Sequence, residues 1–308
     1  MLGARWLIDG ASSIGHRFGM PQLLIGLTIV ALGTSLPELV INVFASVEKN
    51  TDLAIGNVLG SNIINTLLVI GISAIIYPIA MTGRQNMREI FISLIATLIF
   101  AALANITFFI DKAPMISQLD GAILLLLLGI FLFYTLFRNG ALKQVSSTTD
   151  RPQEKIAWSV LMIIIGIAGL FFGGKWIVDG AEQITIDFGI SQSVVGMTII
   201  AAATSLPELV TSVLAALNKN SDLAVGNAIG SNLFNILLVL GMSAVITPIP
   251  FNTSLNFEVA ILVAATILLL LFIKIDLGKT NRAISSLEGI ILVLMYLAFL
   301  LKPFIFKS

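Results

Sequence analysis

The sequence predicts an all-α polytopic membrane protein: about ten transmembrane helices, the first of them truncated, arranged as two inverted five-helix repeats. Three observations predict it. The chain is 57% hydrophobic and 11% charged, whereas soluble domains carry about 45–50% apolar and about 25% charged residues. Apolar runs long enough to cross a bilayer follow one another along its 308 residues. The second half repeats the first, and each half holds an odd number of runs, so the two halves enter the membrane from opposite sides.

The runs lie near 22–48, 52–77, 87–110, 118–137, 158–186, 192–217, 222–247, 255–274 and 284–303, with a partial one at 1–18. Their connections are short except at 138–157, where Arg138, Lys143, Arg151 and Lys155 mark a polar linker. The organisation is therefore a first membrane repeat over 1–137, a cytoplasmic linker over 138–157 and a second membrane repeat over 158–308. Segment 33–65 aligns without gaps on 203–235, an offset of 170 residues with 20 of 33 pairs identical. The match extends to Trp6–Ala11 against Trp176–Ala181. Internal similarity of this kind signals a repeated structural unit. With both termini outside, eleven lysines and arginines fall on the inner side and four on the outer, the asymmetry that cytoplasmic loops show. On the same offset Met1 stands opposite Phe171, within a span whose counterpart starts near Trp158. The expectation is a native chain that starts upstream and completes the first helix.

Glu38 and Glu208 stand near the middle of equivalent spans. A carboxylate at that depth costs at least a few kcal/mol and marks a functional site by default. The spans 22–48 and 192–217 hold no lysine or arginine, which leaves Arg5 and Lys175 as the intramembrane candidates for charge partners. Pro37 and Pro207 precede the glutamates and each removes a helical hydrogen bond, freeing carbonyls near Gly33 and Ala203 beside Thr34, Ser35, Thr204 and Ser205. Such unsatisfied backbone survives in lipid only where it lines a cavity or is buried in protein. A second pattern, GNVLGSNIIN at 56–65 and GNAIGSNLFN at 226–235, supports two readings for Asn57, Asn62, Asn227 and Asn232: helix packing or ligation. Ser61 with Asn65, Ser231 with Asn235, Thr34 with Glu38 and Thr204 with Glu208 are spaced i, i+4 and so share a helix face. Four such faces make an all-oxygen cage with two carboxylates, which suits hard cations such as calcium.

These residues resemble the sodium/calcium exchanger family, in its prokaryotic calcium/sodium antiporter branch of the cation/calcium antiporter superfamily. GTSLPE at 33–38 and ATSLPE at 203–208, each followed by GNxxGSNxxN, carry the resemblance, which covers nearly the whole chain. It implies that Glu38, Glu208, Thr34 and Thr204 bind calcium. It implies sodium sites completed by Ser35, Ser61, Ser205 and Ser231 with the carbonyls of Ala31 and Ala201, and a centre lined by Asn65 and Asn235. Sodium entering down its gradient would expel calcium through alternating access at this site. Two positions depart from the family pattern. Ala203 stands where glycine is usual, and Asn235 stands where some relatives, including potassium-dependent ones, carry aspartate; two carboxylates alone speak against potassium co-transport.

Zero cysteines exclude disulfides, thiolate metal sites and cysteine nucleophiles, and the single histidine, His16, argues against a catalytic triad or a histidine-rich zinc site. Zero net charge gives no sign of a nucleic-acid partner. The expected partners are calcium, sodium and the lipid bilayer of the inner (plasma) membrane, with no enzyme activity, no cofactor and no obligate protein partner. A proton/calcium exchanger and, further off, a cation channel are the alternatives.

Overall fold

Apolar side chains cover the outside of the molecule and polar ones gather within it. Phe44, Phe91, Leu98, Leu126, Phe133 and Ile164 are exposed, while Glu38, Asn57, Ser61, Asn65 and their counterparts 170 residues later are buried. A chain solvated by lipid tails has this distribution, because apolar surface carries no penalty there and polar groups need partners. The computed structural model describes residues 2–80, 84–105, 114–138, 155–188, 201–275 and 283–305. The expected linker therefore falls mostly outside the described residues, as do 106–113 and the start of the span near 192–217.

The helices are α1 (Leu2–Arg17), α2 (Gln22–Thr34), α3 (Leu36–Val47), α4 (Thr51–Ile76), α5 (Arg84–Asn105) and α6 (Gln118–Arg138) in the first half. In the second half they are α7 (Ile156–Phe188), α8 (Ala201–Thr204), α9 (Leu206–Leu217), α10 (Ser221–Ile246), α11 (Asn256–Ile275) and α12 (Ser286–Ile305). Among the described residues, five helices are individually long and apolar enough to cross a bilayer, and α2 with α3 adds a sixth span bent by 43°. The bend falls at Ser35 (φ −84°, ψ 3°), and its counterpart Ser205 has φ −83° and ψ 0°. Both sit between the helical and extended regions, and each is followed two residues later by the proline that the sequence placed there.

Among the described residues three segments wind as π-helix: Gly26–Val30, Ile64–Val69 and Asn235–Leu240. No pattern in the sequence announces them, and such widened turns often accompany functional sites. Helices α6 and α12 start with capping boxes. Asp120 accepts from Ser117 N at 2.8 Å while Asp120 N donates to Ser117 Oγ at 3.2 Å, and Glu288 and Ser285 repeat the arrangement.

The two halves interlock. Strand β1 (Ile79–Ala80) pairs antiparallel with β4 (Ala283–Ile284), and β2 (Met115–Ile116) pairs with β3 (Ile249–Pro250), so each ladder joins one half to the other. Asn105 on α5 and Asn256 on α11 exchange two amide hydrogen bonds of 2.9 and 2.8 Å. Asn62 donates to the carbonyl of Asn232, its own counterpart, at 3.4 Å. A residue that meets its own repeat partner lies beside the pseudo-twofold axis. Helix α2 crosses α10 with backbone almost in contact: a Cβ on Gly26 would lie 2.6 Å from Leu223 O, and one on Gly226 would strike Leu23 O.

Gly226→Ala is therefore expected to destabilise the protein by about 1–3 kcal/mol, since backbone must move to admit the methyl. Gly129→Ala, where no neighbour lies within 4 Å, should be neutral or gain up to about 1 kcal/mol from helix propensity. Melting temperatures of the two purified variants in detergent make the comparison.

Candidate cation site

Glu38 and Glu208 are both fully buried. Serines reach Glu208 from both halves: Ser35 Oγ and Ser231 Oγ each donate to its Oε1 at 3.2 Å. Glu38 faces Thr204, Ser61 and Glu208, yet neither of its oxygens accepts a hydrogen bond. Among the described residues no cation pairs with either carboxylate; the ion pair seen there joins Arg88 to Glu89. Arg5, one of the two suggested charge partners, is exposed on α1. Lys175, the other, has a side chain outside the described residues.

Around the glutamates the two motifs close crosswise. Thr34 Oγ1 lies 3.1 Å from Asn227 Oδ1 and 3.4 Å from Ser231 Oγ. Thr204 Oγ1 lies 3.1 Å from Asn57 Oδ1 and 3.3 Å from Ser61 Oγ. The TSLPE stretch of each half thus packs on the GNxxGSN stretch of the other. The i, i+4 pairing of Thr34 with Glu38, and of Thr204 with Glu208, needs correction on this point. The helix is interrupted at Ser35 and at Ser205, so helical spacing does not carry across, and each threonine turns to partners in the opposite half.

The carbonyls of Ala31 and Ala201 accept twice, from the amides of Ser35 (2.9 Å) and Ser205 (3.1 Å) and from the hydroxyls of Thr34 and Thr204, both at 3.2 Å. Asn65 and Asn235 are fully buried at the π-helical segments, and no side-chain atom of either has a hydrogen-bond partner. Ser205 Oγ and Glu208 Oε2 are unpartnered as well. Buried polar atoms without partners are costly, and apart from the two asparagine nitrogens those named here are oxygens, the carboxylate oxygens of Glu38 and Glu208 among them. That donor set fits a hard cation.

Residues 1–137 and 158–304 match the family described as "Sodium/calcium exchanger protein". The chain belongs to the sodium/calcium exchanger family. Membership makes it a transporter and not an enzyme. The inner membrane protein YrbG of Escherichia coli is 34% identical, with 86% of this chain and 82% of that protein covered. The sodium/calcium exchanger MaX1 of Methanosarcina acetivorans is 29% identical over 98% and 94% of the two chains. The solved structure of the sodium-calcium exchanger NCX_Mj, soaked with 10 mM Na+ and no Ca2+, superposes with a TM-score of 0.80 at 32% identity, covering 96% of this chain and 92% of that one. The all-helical membrane fold expected from the repeats is thus shown.

Within this exchanger-family site, Asn57 and Asn227 take part in helix packing, one of the two readings offered for them. Their nitrogens tie helices together, to Asn42 Oδ1 (2.7 Å) and Ser212 Oγ (2.9 Å), while their oxygens face the threonines. Asn232 donates to Thr66 Oγ1 at 2.8 Å, which places Asn62 and Asn232 in axial packing. Asn42, Ser212 and Thr66 were missed. A polar residue one turn beyond each glutamate, in otherwise apolar stretches of both repeats, was the available signal for the first two.

Proposed function

We propose that the protein is a secondary active antiporter that exchanges sodium for calcium across the cell's inner membrane. The observation that carries the reading is the pair of buried glutamates, without a cation partner among the described residues, related by the internal repeat and ringed by hydroxyl, amide and carbonyl oxygens. Two carboxylates balance one calcium or a set of sodium ions and cannot hold both loads together, and that competition couples the two fluxes. Glu38 and Glu208 with Thr34 and Thr204 are assigned to calcium. Ser35, Ser61, Ser205 and Ser231 with the carbonyls of Ala31 and Ala201 are assigned to sodium, and Asn65 and Asn235 line the centre between them. NCX_Mj and MaX1, both named sodium/calcium exchangers, support the choice of ions. Both termini are placed outside and the central linker in the cytoplasm, in keeping with the charge asymmetry of the loops.

Alternating access follows from the inverted repeat. Glu208 is held by two serines and Glu38 by none. Exchanging these environments between the halves converts one open side into the other. Calcium uptake into membrane vesicles, with sodium and proton gradients imposed separately, tests the assignment. Uptake driven by the sodium gradient is expected; uptake driven only by the proton gradient would select the proton/calcium alternative, and uptake that needs no counter-ion would select a channel.

Glu38→Gln and Glu208→Gln, made singly, are each expected to reduce calcium uptake at least a hundredfold while the protein remains inserted and folded, because each removes half of the charge that balances the ion. Uptake at matched protein levels, with melting temperature as the folding control, decides this; near-normal uptake would remove that glutamate from the ligand set. Asn235→Asp adds a third, titratable carboxylate to the same centre. The variant should acquire a dependence on pH and on potassium that the parent lacks, and transport assayed with and without potassium across several pH values would reveal it. Unchanged dependence would place Asn235 away from the ion path.

A further inference from the structure

A hydroxyl next to a cation helps only if its proton points elsewhere, and the structure shows what decides this for Thr204 and Thr34. The carbonyl of Ala54 can only accept, and it lies 2.8 Å from the side-chain nitrogen of Asn42. That orients the Asn42 amide, so its oxygen faces Asn57 and accepts from Asn57 Nδ2 at 2.7 Å. Asn57 in turn must present Oδ1 toward Thr204 Oγ1, 3.1 Å away. With Asn57 presenting its oxygen, the Thr204 hydroxyl donates there at 3.1 Å, its other neighbours being Ala201 O at 3.2 Å and Ser61 Oγ at 3.3 Å. What Thr204 shows to Glu38 is therefore lone pair, the half of a hydroxyl that ligates a cation.

The second repeat builds the same chain from different residues. Ser212 Oγ donates to Ala224 O at 3.2 Å and accepts from Asn227 Nδ2 at 2.9 Å, and Asn227 Oδ1 faces Thr34 Oγ1 at 3.1 Å. Asn227 has a second anchor, since its nitrogen also donates to Glu208 O at 3.2 Å. All four relay residues are at most 1% exposed, so water does not substitute for them.

We infer that Asn42 and Ser212 are positioning residues that fix the polarity of the cation site, acting through Asn57 and Asn227 on the hydroxyls of Thr204 and Thr34. Without Asn42, the amide of Asn57 is free to turn its NH2 toward Thr204, whose own proton then swings toward Glu38 and competes with the ion for the carboxylate. The inference rests on the antiport reading above.

The test is sodium-driven calcium uptake by vesicles, measured against calcium concentration for the parent, Asn42→Ala, Asn57→Ala, the Asn42→Ala/Asn57→Ala pair, Ser212→Ala and Asn42→Ser. Asn42→Leu, close to isosteric, is a second variant in case truncation costs folding. Asn42→Ala should raise the KM for calcium roughly tenfold with maximal rate within about twofold, since the site's charges and framework remain. The pair should match Asn57→Ala alone, because Asn42 acts only through Asn57. Ser212→Ala should shift KM less than about threefold, given the second anchor of Asn227. Asn42→Ser, which copies the second repeat, should restore a KM near the parent's. Effects of Asn42→Ala and Asn57→Ala that multiply in the pair would overturn the inference, as would a fall in maximal rate at constant KM or a failure of Asn42→Ser to rescue. A parent that shows no sodium-driven uptake would overturn the antiport reading and the inference together, a result distinct from any of those patterns.

Discussion

Glu38 and Glu208 are withdrawn from water inside a lipid-solvated bundle, and among the described residues no basic side chain answers them. Moving one such charge from water into a medium of low dielectric constant costs on the order of 20 kcal/mol in the idealised limit, and several kcal/mol after relaxation. Hydrogen bonds from Ser35 and Ser231 recover part of that for Glu208, and nothing comparable reaches Glu38. The rest of the architecture answers this constraint. Helices break at Ser35 and Ser205 to bring polar backbone and hydroxyls alongside, and π-helical turns carry the buried Asn65 and Asn235. On the proposed reading, the bound cation supplies the missing positive charge, so the cost of the uncompensated carboxylates favours exchange of one load for another over transit without one.

Neither repeat can build the site alone. Thr34 and Ser35 of the first half find their partners in Asn227, Ser231 and Glu208 of the second, and Thr204 finds Asn57 and Ser61 of the first. That crossing requires the backbones of α2 and α10 to approach so closely that a single methyl on Gly26 or Gly226 would meet a carbonyl. The paired glycines, the domain-joining β ladders and the Asn105–Asn256 amide pair thus serve one end: they hold two half-sites in register. Packing in membranes gains nothing from burying apolar surface against lipid, so close contact and hydrogen bonds bear this load.

The spans were legible in the sequence because the bilayer imposes both length and apolarity, and the kinks were legible because proline has one backbone consequence. The pairing of residues across the site was less so. Helical spacing put Thr34 with Glu38, but the interruption at Ser35 voids that rule and turns Thr34 to the other half. The π-helical segments leave no mark in composition. The two-residue strands are too short for any periodicity. By contrast, the capping boxes Ser117–Asp120 and Ser285–Glu288 were written in the sequence as S-x-x-D and S-x-x-E and could have been read there.

The two glutamate environments differ although the residues that make them do not. Ser35 and Ser205, Ser61 and Ser231, Thr34 and Thr204 match at every position, yet serines donate to Glu208 and not to Glu38. Identical inventory with unequal bonding is a property of conformation, and the same inventory can form the mirrored arrangement. What separates the two arrangements in free energy must then lie where the repeats differ: Asn42 against Ser212, Thr66 against Ile236, Gly33 against Ala203. Thr66 accepts from Asn232 beside the axis, a bond that Ile236 cannot return to Asn62. One such hydrogen bond contributes about 1 kcal/mol, which on the proposed alternating-access reading is enough to set the populations of the two conformers and too little to lock either one. The sequence differences between the repeats are therefore where a bias between inward- and outward-facing states would be written.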